Sequence, residues 1–339
     1  MKIWANTKNE KMGKIIVFLG VIFLALFNAG CNSCKSVKDK GADRIKVAQF
    51  GEVFIYMPVY LADSKGFFKE EGIEIELINT GGDDKTFAAV LSGAATFGVA
   101  DPTFVAIAKE KGQGGKVIAS IVNGVPFWGV TKNPKIPEIK DIKQLKGFSV
   151  ATFPAPSTAF TLQEDMFEDA GLKPNIKQGA FGTLLPMLDA GQADIALELE
   201  PNVSIAVNQG ARVLYSFADL YGDFALTGVT TIEATIKNNP DLVQRFVNAL
   251  EKAERYAHTY PDSAIAYANK RFPALSDAIV SAAMKRVINA KTLPVSTVIS
   301  KDAWDKAIKL RQEVGDIKSL DVAESVLDMS FAEQAKKVK

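Results

Sequence analysis

The sequence predicts an α/β protein of two lobes with a helical C-terminal region. Three observations carry this. From residue 44 onward, short strand signals alternate with helical stretches of ten to fifteen residues, the layout of βαβ units and a parallel sheet. A Pro- and Lys-rich break at 133–147 (NPKIPEIKDIKQLKG) interrupts the alternation, which then starts afresh. From residue 240 the pattern turns almost wholly helical, punctuated by Pro261, Pro273 and Pro294. A chain of 339 residues is long enough for two such units.

Residues 1–30 stand apart from this pattern. Lys2, Lys8, Lys11 and Lys14 precede an uncharged apolar run at 15–27, and Asn28, Ala29 and Gly30 lead into Cys31. This is the layout of an export signal. Small residues directly before Cys31 resemble a bacterial lipobox, which makes Cys31 the expected lipidation site, although Asn28 stands where an aliphatic residue is usual. The apolar run falls short of the roughly 20 residues a spanning helix needs. Residues 31–43 are polar and aperiodic, a tether between the membrane and the fold. The expected location is therefore extracytoplasmic and lipid-anchored, periplasmic in a two-membrane cell.

The elements follow in order. Residues 45–50 (IKVAQF) read as a first strand, and a helix at 58–65 runs into Gly66, a C-terminal stop. Residues 73–78 (IEIELI) alternate apolar and acidic, a half-buried strand. Gly81-Gly82-Asp83-Asp84 opens a helix ending near Leu91, with Asp83 suited to its N-cap. A strand at 96–99 precedes Asp101-Pro102, which caps a helix through Lys109, and 117–122 is again a strand. After the break come a strand at 148–151, a helix at 157–170, a strand at 176–180, a helix at 184–190, a strand at 195–197 and a helix at 201–209. Residues 91–98 (LSGAATFG) echo 189–196 (DAGQADIA): each ends a helix on glycine and enters a short strand. Two lobes built alike would produce this echo, and so would chance between two ordinary turns.

Composition excludes several functions. Forty Lys and Arg face 39 Asp and Glu; without residues 1–30, which hold four Lys and one Glu, 36 basic residues face 38 acidic ones, a formal charge of −2. That leaves no excess of positive charge for nucleic acid. The cysteines are Cys31 and Cys34 and the one histidine is His258, so neither a disulfide framework nor His- or Cys-based catalysis is expected. No cluster has metal-ligand spacing, and nothing implies a cofactor. This absence of catalytic machinery favours binding.

Candidate binding residues sit where loops leave the C-terminal ends of strands, the usual ligand crevice of α/β sheets. Tyr56, Trp128 and Phe153 could sandwich a flat ligand. For Trp128, packing between lobes fits equally well. Glu52, Asp83, Asp101 and Glu200 could accept hydrogen bonds from it, Asp101 after serving as a helix cap. Ser157 and Gly182 open helices whose N–H groups could donate. No arginine falls between Arg44 and Arg212, so the expected cleft is aromatic and acidic. That suits an amine- or amidine-bearing heterocycle; a small anion held by helix N-termini is the alternative.

The run 58–73 (PVYLADSKGFFKEEGI) resembles the opening of a family of ABC-importer solute-binding proteins. The family takes in binders of taurine, alkanesulfonates, nitrate and thiamine-pyrimidine precursors, and relatives of the thiamine-pyrimidine synthase. Residues 98–102 (GVADP), 142–147 (IKQLKG), Glu200-Pro201 and 239–243 (NPDLV) match in the same order, so the likeness spans about 44–315. Thr96 stands where the family often has Asp, and Pro154-Ala155-Pro156-Ser157-Thr158 replaces a Gly-Ser/Thr-rich turn. The resemblance implies a two-lobed, type II-like periplasmic binding protein. Lobe one would hold 44–128 and take the chain back at 229–339, lobe two would hold 129–228, and crossovers would fall near 129–132 and 227–230. It implies hinge closure on a pyrimidine-like solute or a small sulfonate or nitrate-type anion. The expected partners are permease and ATPase subunits and, through the anchor, a membrane; the expected state is a monomer. A synthase-like enzyme is disfavoured, because those relatives are intracellular and use an active-site histidine.

Overall fold

The computed structural model describes residues 41–338. The expected signal, Cys31 and most of the tether lie outside them. No helix among the described residues is long and apolar enough to cross a membrane.

The first half folds as β1 (Asp43–Gln49), α1 (Met57–Ser64), α2 (Phe67–Glu70), β2 (Ile73–Asn79), α3 (Asp83–Leu91), β3 (Phe97–Ala100), α4 (Thr103–Glu110) and β4 (Lys116–Asn123). The second comprises β5 (Trp128–Thr131), β6 (Val150–Thr152), α5 (Thr158–Asp169), β7 (Ile176–Gln178), α6 (Leu184–Asp189), β8 (Ile195–Glu198), α7 (Asn202–Asn208), β9 (Arg212–Ser216) and α8 (Phe217–Tyr221). Then come β10 (Ala225–Thr231), α9 (Glu233–Asn238), α10 (Pro240–Thr259), α11 (Pro261–Arg271), α12 (Asp277–Asn289), α13 (Lys301–Glu313), α14 (Leu320–Val326) and α15 (Ser330–Ala335).

These strands form two sheets, ordered β2-β1-β3-β10-β4 and β7-β6-β8-β5-β9. In the first, β1 runs parallel to β2 and β3, with Val47 opposite both Leu77 and Phe97, while β10 is antiparallel to β3 and β4. In the second, β6 runs parallel to β7 and β8, and β5 is antiparallel to β8 and β9. The two orders are the same pattern. Each sheet has one strand antiparallel to both its neighbours: β5, which opens the second set, and β10, which returns to the first sheet after it. The echoed segments are topological equivalents, leading from α3 into β3 and from α6 into β8.

The chain passes between sheets at 124–127 and again at 222–224, upstream of both expected crossovers. The residues expected to cross, 129–132 and 227–230, instead lie in or at the end of the antiparallel strands β5 and β10. Glycine fixes the crossing point. Gly124 and Gly222 both take positive φ (111° and 63°), the Gly124 N–H donates to the Phe224 carbonyl at 2.7 Å, and a side chain at Gly124 would meet the Gly222 carbonyl. The two passages thus run side by side.

The C-terminal helices complete the molecule. In α10, Val243, Phe246, Val247, Leu250, Ala253 and Ala257 fall on one face and are buried. Phe246 stacks on Phe97 of β3 at 4.1 Å and on Phe68 of α2 at 5.1 Å, so this helix seals the first sheet. Ser276, Ser300 and Ser319 cap α12, α13 and α14. The histidine is structural: His258 Nε2 lies 3.0 Å from the Leu293 carbonyl and 3.1 Å from that of Pro294.

Candidate functional site

The ends of the strands converge on one cavity of about 360 Å³. Phe50 follows β1, Asp101 follows β3, Phe153 follows β6 and Leu199 follows β8; Phe127 precedes β5, and Leu226 and Thr227 begin β10. Because β5 and β10 are antiparallel to their neighbours, their starting ends face the same crevice as the other strands' finishing ends. The cavity is therefore walled by both sheets, as expected at strand ends of an α/β fold.

Five of the sequence-predicted residues line it: Tyr56, Asp83, Asp101, Phe153 and Ser157. Tyr56 is buried on the short 3-10 turn before α1, and burial pushes its hydroxyl well above the usual tyrosine range, so it stays a neutral donor. Ser157 caps α5, its oxygen accepting from the Phe160 N–H at 3.3 Å.

The two aspartates are not equivalent. Asp101 is fully engaged by protein. Its Oδ1 accepts from the Thr103 N–H at 2.9 Å and the Thr103 hydroxyl at 2.6 Å, and its Oδ2 accepts from Arg311 Nη2 at 2.9 Å and from the Thr158 hydroxyl. Asp83 sits in the first turn of α3. Its Oδ1 accepts from the Asp101 N–H at 3.1 Å, and its Oδ2 finds no donor among the described residues. Removal from bulk water, then the neighbouring Asp101 charge, pushes the Asp83 carboxyl up to about 7. It can therefore donate or accept at neutral pH, and a ligand's charge decides which.

Four predicted residues are not brought to the cavity. Glu52 is half-exposed and ion-paired with Arg271 at 2.5 Å, outside the lining. Trp128 is buried on the face of β5 that looks toward α12, with the Arg286 guanidinium 5.8 Å from its ring centre. Glu200 is fully buried but turned away; it accepts from the Ser204 N–H at 3.0 Å, the Ser204 hydroxyl at 2.9 Å and Arg286 Nε at 2.6 Å. Gly182 lies beside the lining at positive φ (83°), and the short helix it precedes starts at Leu184. Trp128 and Glu200 each lie one residue beyond a lining residue, Phe127 and Leu199, and both are engaged instead by Arg286 of α12.

Phe50, Phe104, Phe127 and Phe181 complete the wall. Phe127 meets Phe153 edge-on at 5.8 Å, Phe153 stacks on Phe181 at 6.3 Å, and Phe181 meets Phe50 edge-on at 5.6 Å. This row of rings runs from the second sheet's loops to the first's. Phe181 is 42% exposed. The lining is aromatic and carries Asp83, Asp84 and Asp101, but it also holds Lys85, and Arg311, from the far C-terminal α13, supports it from behind with its guanidinium 5.1 Å from the Phe104 ring centre. The N-cap of α3 is Gly82 and not the expected Asp83, and no side chain caps it; Asp83 and Asp84 instead place negative charge in its first turn. Among the described residues, no group of three or more His, Cys, Asp or Glu could hold a metal ion.

Comparison with known proteins gives a consistent result. Residues 54–264 match the family described as NMT1/THI5 like. YtlA of Bacillus subtilis (strain 168) is 23% identical over 311 residues, covering 88% of this chain and 90% of that protein. A ligand-binding component of an ABC-type import system from Staphylococcus aureus, solved with zinc bound, superposes with a TM-score of 0.71 at 13% identity, over 86% of this chain and 99% of that one. The periplasmic aliphatic sulphonate binding protein SsuA from Escherichia coli gives a TM-score of 0.67 at 18% identity, over 86% and 93%. At these identities the structural likeness is one of fold, that of periplasmic binding proteins.

Proposed function

Since the chain belongs to the NMT1/THI5-like family, we propose that it is the extracytoplasmic solute-binding component of an ABC importer and that its solute is a flat, hydrogen-bond-donating nitrogen heterocycle of pyrimidine type. Its lobes would be those expected, 44–128 with 229–339 and 129–228, with both boundaries moved back to the crossings at 124–127 and 222–224, and they would close on the solute by bending there and present it to permease and ATPase subunits. Cys31 would carry the lipid that keeps the protein at the membrane. The fold shared with import-system binding proteins supports the general role.

The observation that carries the choice of solute is Asp83. It presents an uncommitted carboxylate oxygen within a wall of Tyr56, Phe127, Phe153 and Phe181. A ring slotted among the phenylalanines would gain offset-stacking and edge contacts, and an amino or ring N–H group would donate to Asp83. The cavity volume suits a molecule of one or two rings. A sulfonate or nitrate would meet no arginine in the lining, only the single cation Lys85, and would face Asp83 and Asp84 at the helix end that should have held it. The SsuA likeness is what favours that second reading.

A thermal-shift panel separates the two. Aminopyrimidines at about a hundred times their dissociation constant should raise the melting temperature by at least about 5 °C. Alkanesulfonates and nitrate should leave it unchanged. The reverse pattern would transfer the assignment to anions.

A further inference from the structure

Arg311 makes contacts that a residue serving only its own lobe would not. It lies on α13, which packs against α4 and β10 of the first sheet's lobe, and it is 1% exposed. All five of its N–H groups are used. Nε donates to the Thr103 hydroxyl at 3.0 Å, and Nη2 donates to Asp101 Oδ2 and the Thr158 hydroxyl, both at 2.9 Å. Nη1 donates to the Pro156 carbonyl at 2.8 Å and to Asp316 Oδ2 at 3.3 Å. Thr103, Asp101 and Asp316 belong to Arg311's own side of the cleft. Pro156 and Thr158 belong to the other, on the turn from β6 into α5. The Thr158 hydroxyl closes the loop by donating to Asp101.

We propose that Arg311 is a positioning residue that straps the two lobes together through protein contacts alone. The chemistry supports a strap over a simple buried ion pair. A guanidinium and a carboxylate removed from water are costly unless every donor and lone pair is satisfied. Here satisfaction is complete only with the second lobe in place. Parting the two lobes would take away the Pro156 carbonyl, the Thr158 hydroxyl and the bond from Thr158 to Asp101, leaving a desolvated arginine with two idle N–H directions until water arrived. Asp101, Pro156 and Thr158 all line the cavity, so the strap forms part of the surface on which a solute would rest. Protein contacts thus join the two walls of the cleft, and a solute would add to them. This inference concerns protein contacts and does not depend on which solute is carried, so it can fail while the proposed function stands.

Electron–electron distance measurement on the ligand-free full chain tests it. Cys31→Ser and Cys34→Ser clear the background, and spin labels go on Glu74→Cys at the outer strand of the first sheet and Lys173→Cys before the outer strand of the second, both exposed. The unaltered strap should give a single short-distance population. Arg311→Gln should move most molecules to a longer distance, and Thr158→Val, which leaves the Arg311–Asp101 pair intact, should move a smaller share the same way. A lowered melting temperature with an unmoved distance distribution would mean that Arg311 only stabilises its own lobe, and would overturn the proposal. So would a strap-intact protein that is already open. Should Arg311→Gln fail to fold, Thr158→Val alone decides: no shift there overturns it.

Discussion

Asp83 is the residue on which the chemistry turns, and its titration makes a signed prediction. An aspartate in an unfolded chain titrates near ~3.9, whereas in the fold Asp83 titrates at about 7. Below about pH 4 both states hold the proton, and the group costs nothing. Between about pH 4 and 7 the folded state keeps a proton that the unfolded state has lost, so Asp83's contribution to stability declines as pH rises through that window. Asp83→Asn keeps the acceptor for the Asp101 N–H and should stabilise the protein by roughly 1 kcal/mol at pH 8, with no gain near pH 3.5. Melting curves of the two proteins across pH read this directly. The same group sets the solute's pH response: affinity for an aminopyrimidine should rise as Asp83 ionises through pH 7, whereas affinity for an anion should fall. Among the rings, Phe153→Ala and Phe181→Ala should each weaken solute binding about tenfold or more, while Trp128→Phe, on the far face of its strand, should leave titrated affinity within about twofold. Trp128 and Glu200 show why strand-end residues are hard to assign from sequence. A shift of one position decides whether a side chain reaches the cavity, and both are the neighbours of true lining residues.

At the scale of elements, the alternation of strands and helices was legible because each βαβ unit carries its own period. The strands β5 and β10 were not recognisable as such. Both are wholly buried and without alternation, and each pairs with strands far away in the chain. Local pattern says nothing about which sheet a strand will join. Arg311 was hidden for the same reason: its partner Asp101 lies 210 positions away, and on α13 it reads as one more cation in a charged helix. Phe104 sits in the first turn of α4 and looks like ordinary core. Phe181, flanked by Ala180 and Gly182, looks like an ordinary loop residue. The packing of β5 offers a test of the element account. A Cβ at Gly129 would lie 2.3 Å from the Tyr215 ring, whose hydroxyl donates to buried Gln163 at 2.7 Å. Gly129→Ala should therefore destabilise by about 2 kcal/mol or more, seen as a lower denaturant midpoint, because the ring must move and its hydrogen bond break.

At the scale of the molecule, the layout assigns separate tasks to separate stretches. Under the proposed function residues 1–30 and Cys31 would serve delivery and attachment; the two sheets present their strand ends to one cavity, and the C-terminal helices brace the first sheet while Arg311 reaches across the cleft. The near-neutral charge of the whole chain fits this division, since it combines a basic leader with a slightly acidic remainder. If Cys31 carries the anchor, Cys31→Ser should move the protein from the membrane fraction to the soluble extracytoplasmic fraction without altering its fold. The repeated sheet order also explains how a modest set of side chains can enclose a solute. Two similar lobes, joined at Gly124 and Gly222, bring equivalent strand ends face to face, so each supplies half of a binding surface that neither has alone. The most direct test of the central claim is mass spectrometry of the small molecule released when protein purified from its native host is denatured. The account predicts a nitrogen heterocycle bearing amino or ring N–H donors, in about equimolar amount. A sulfonate or an inorganic anion in that position would contradict it.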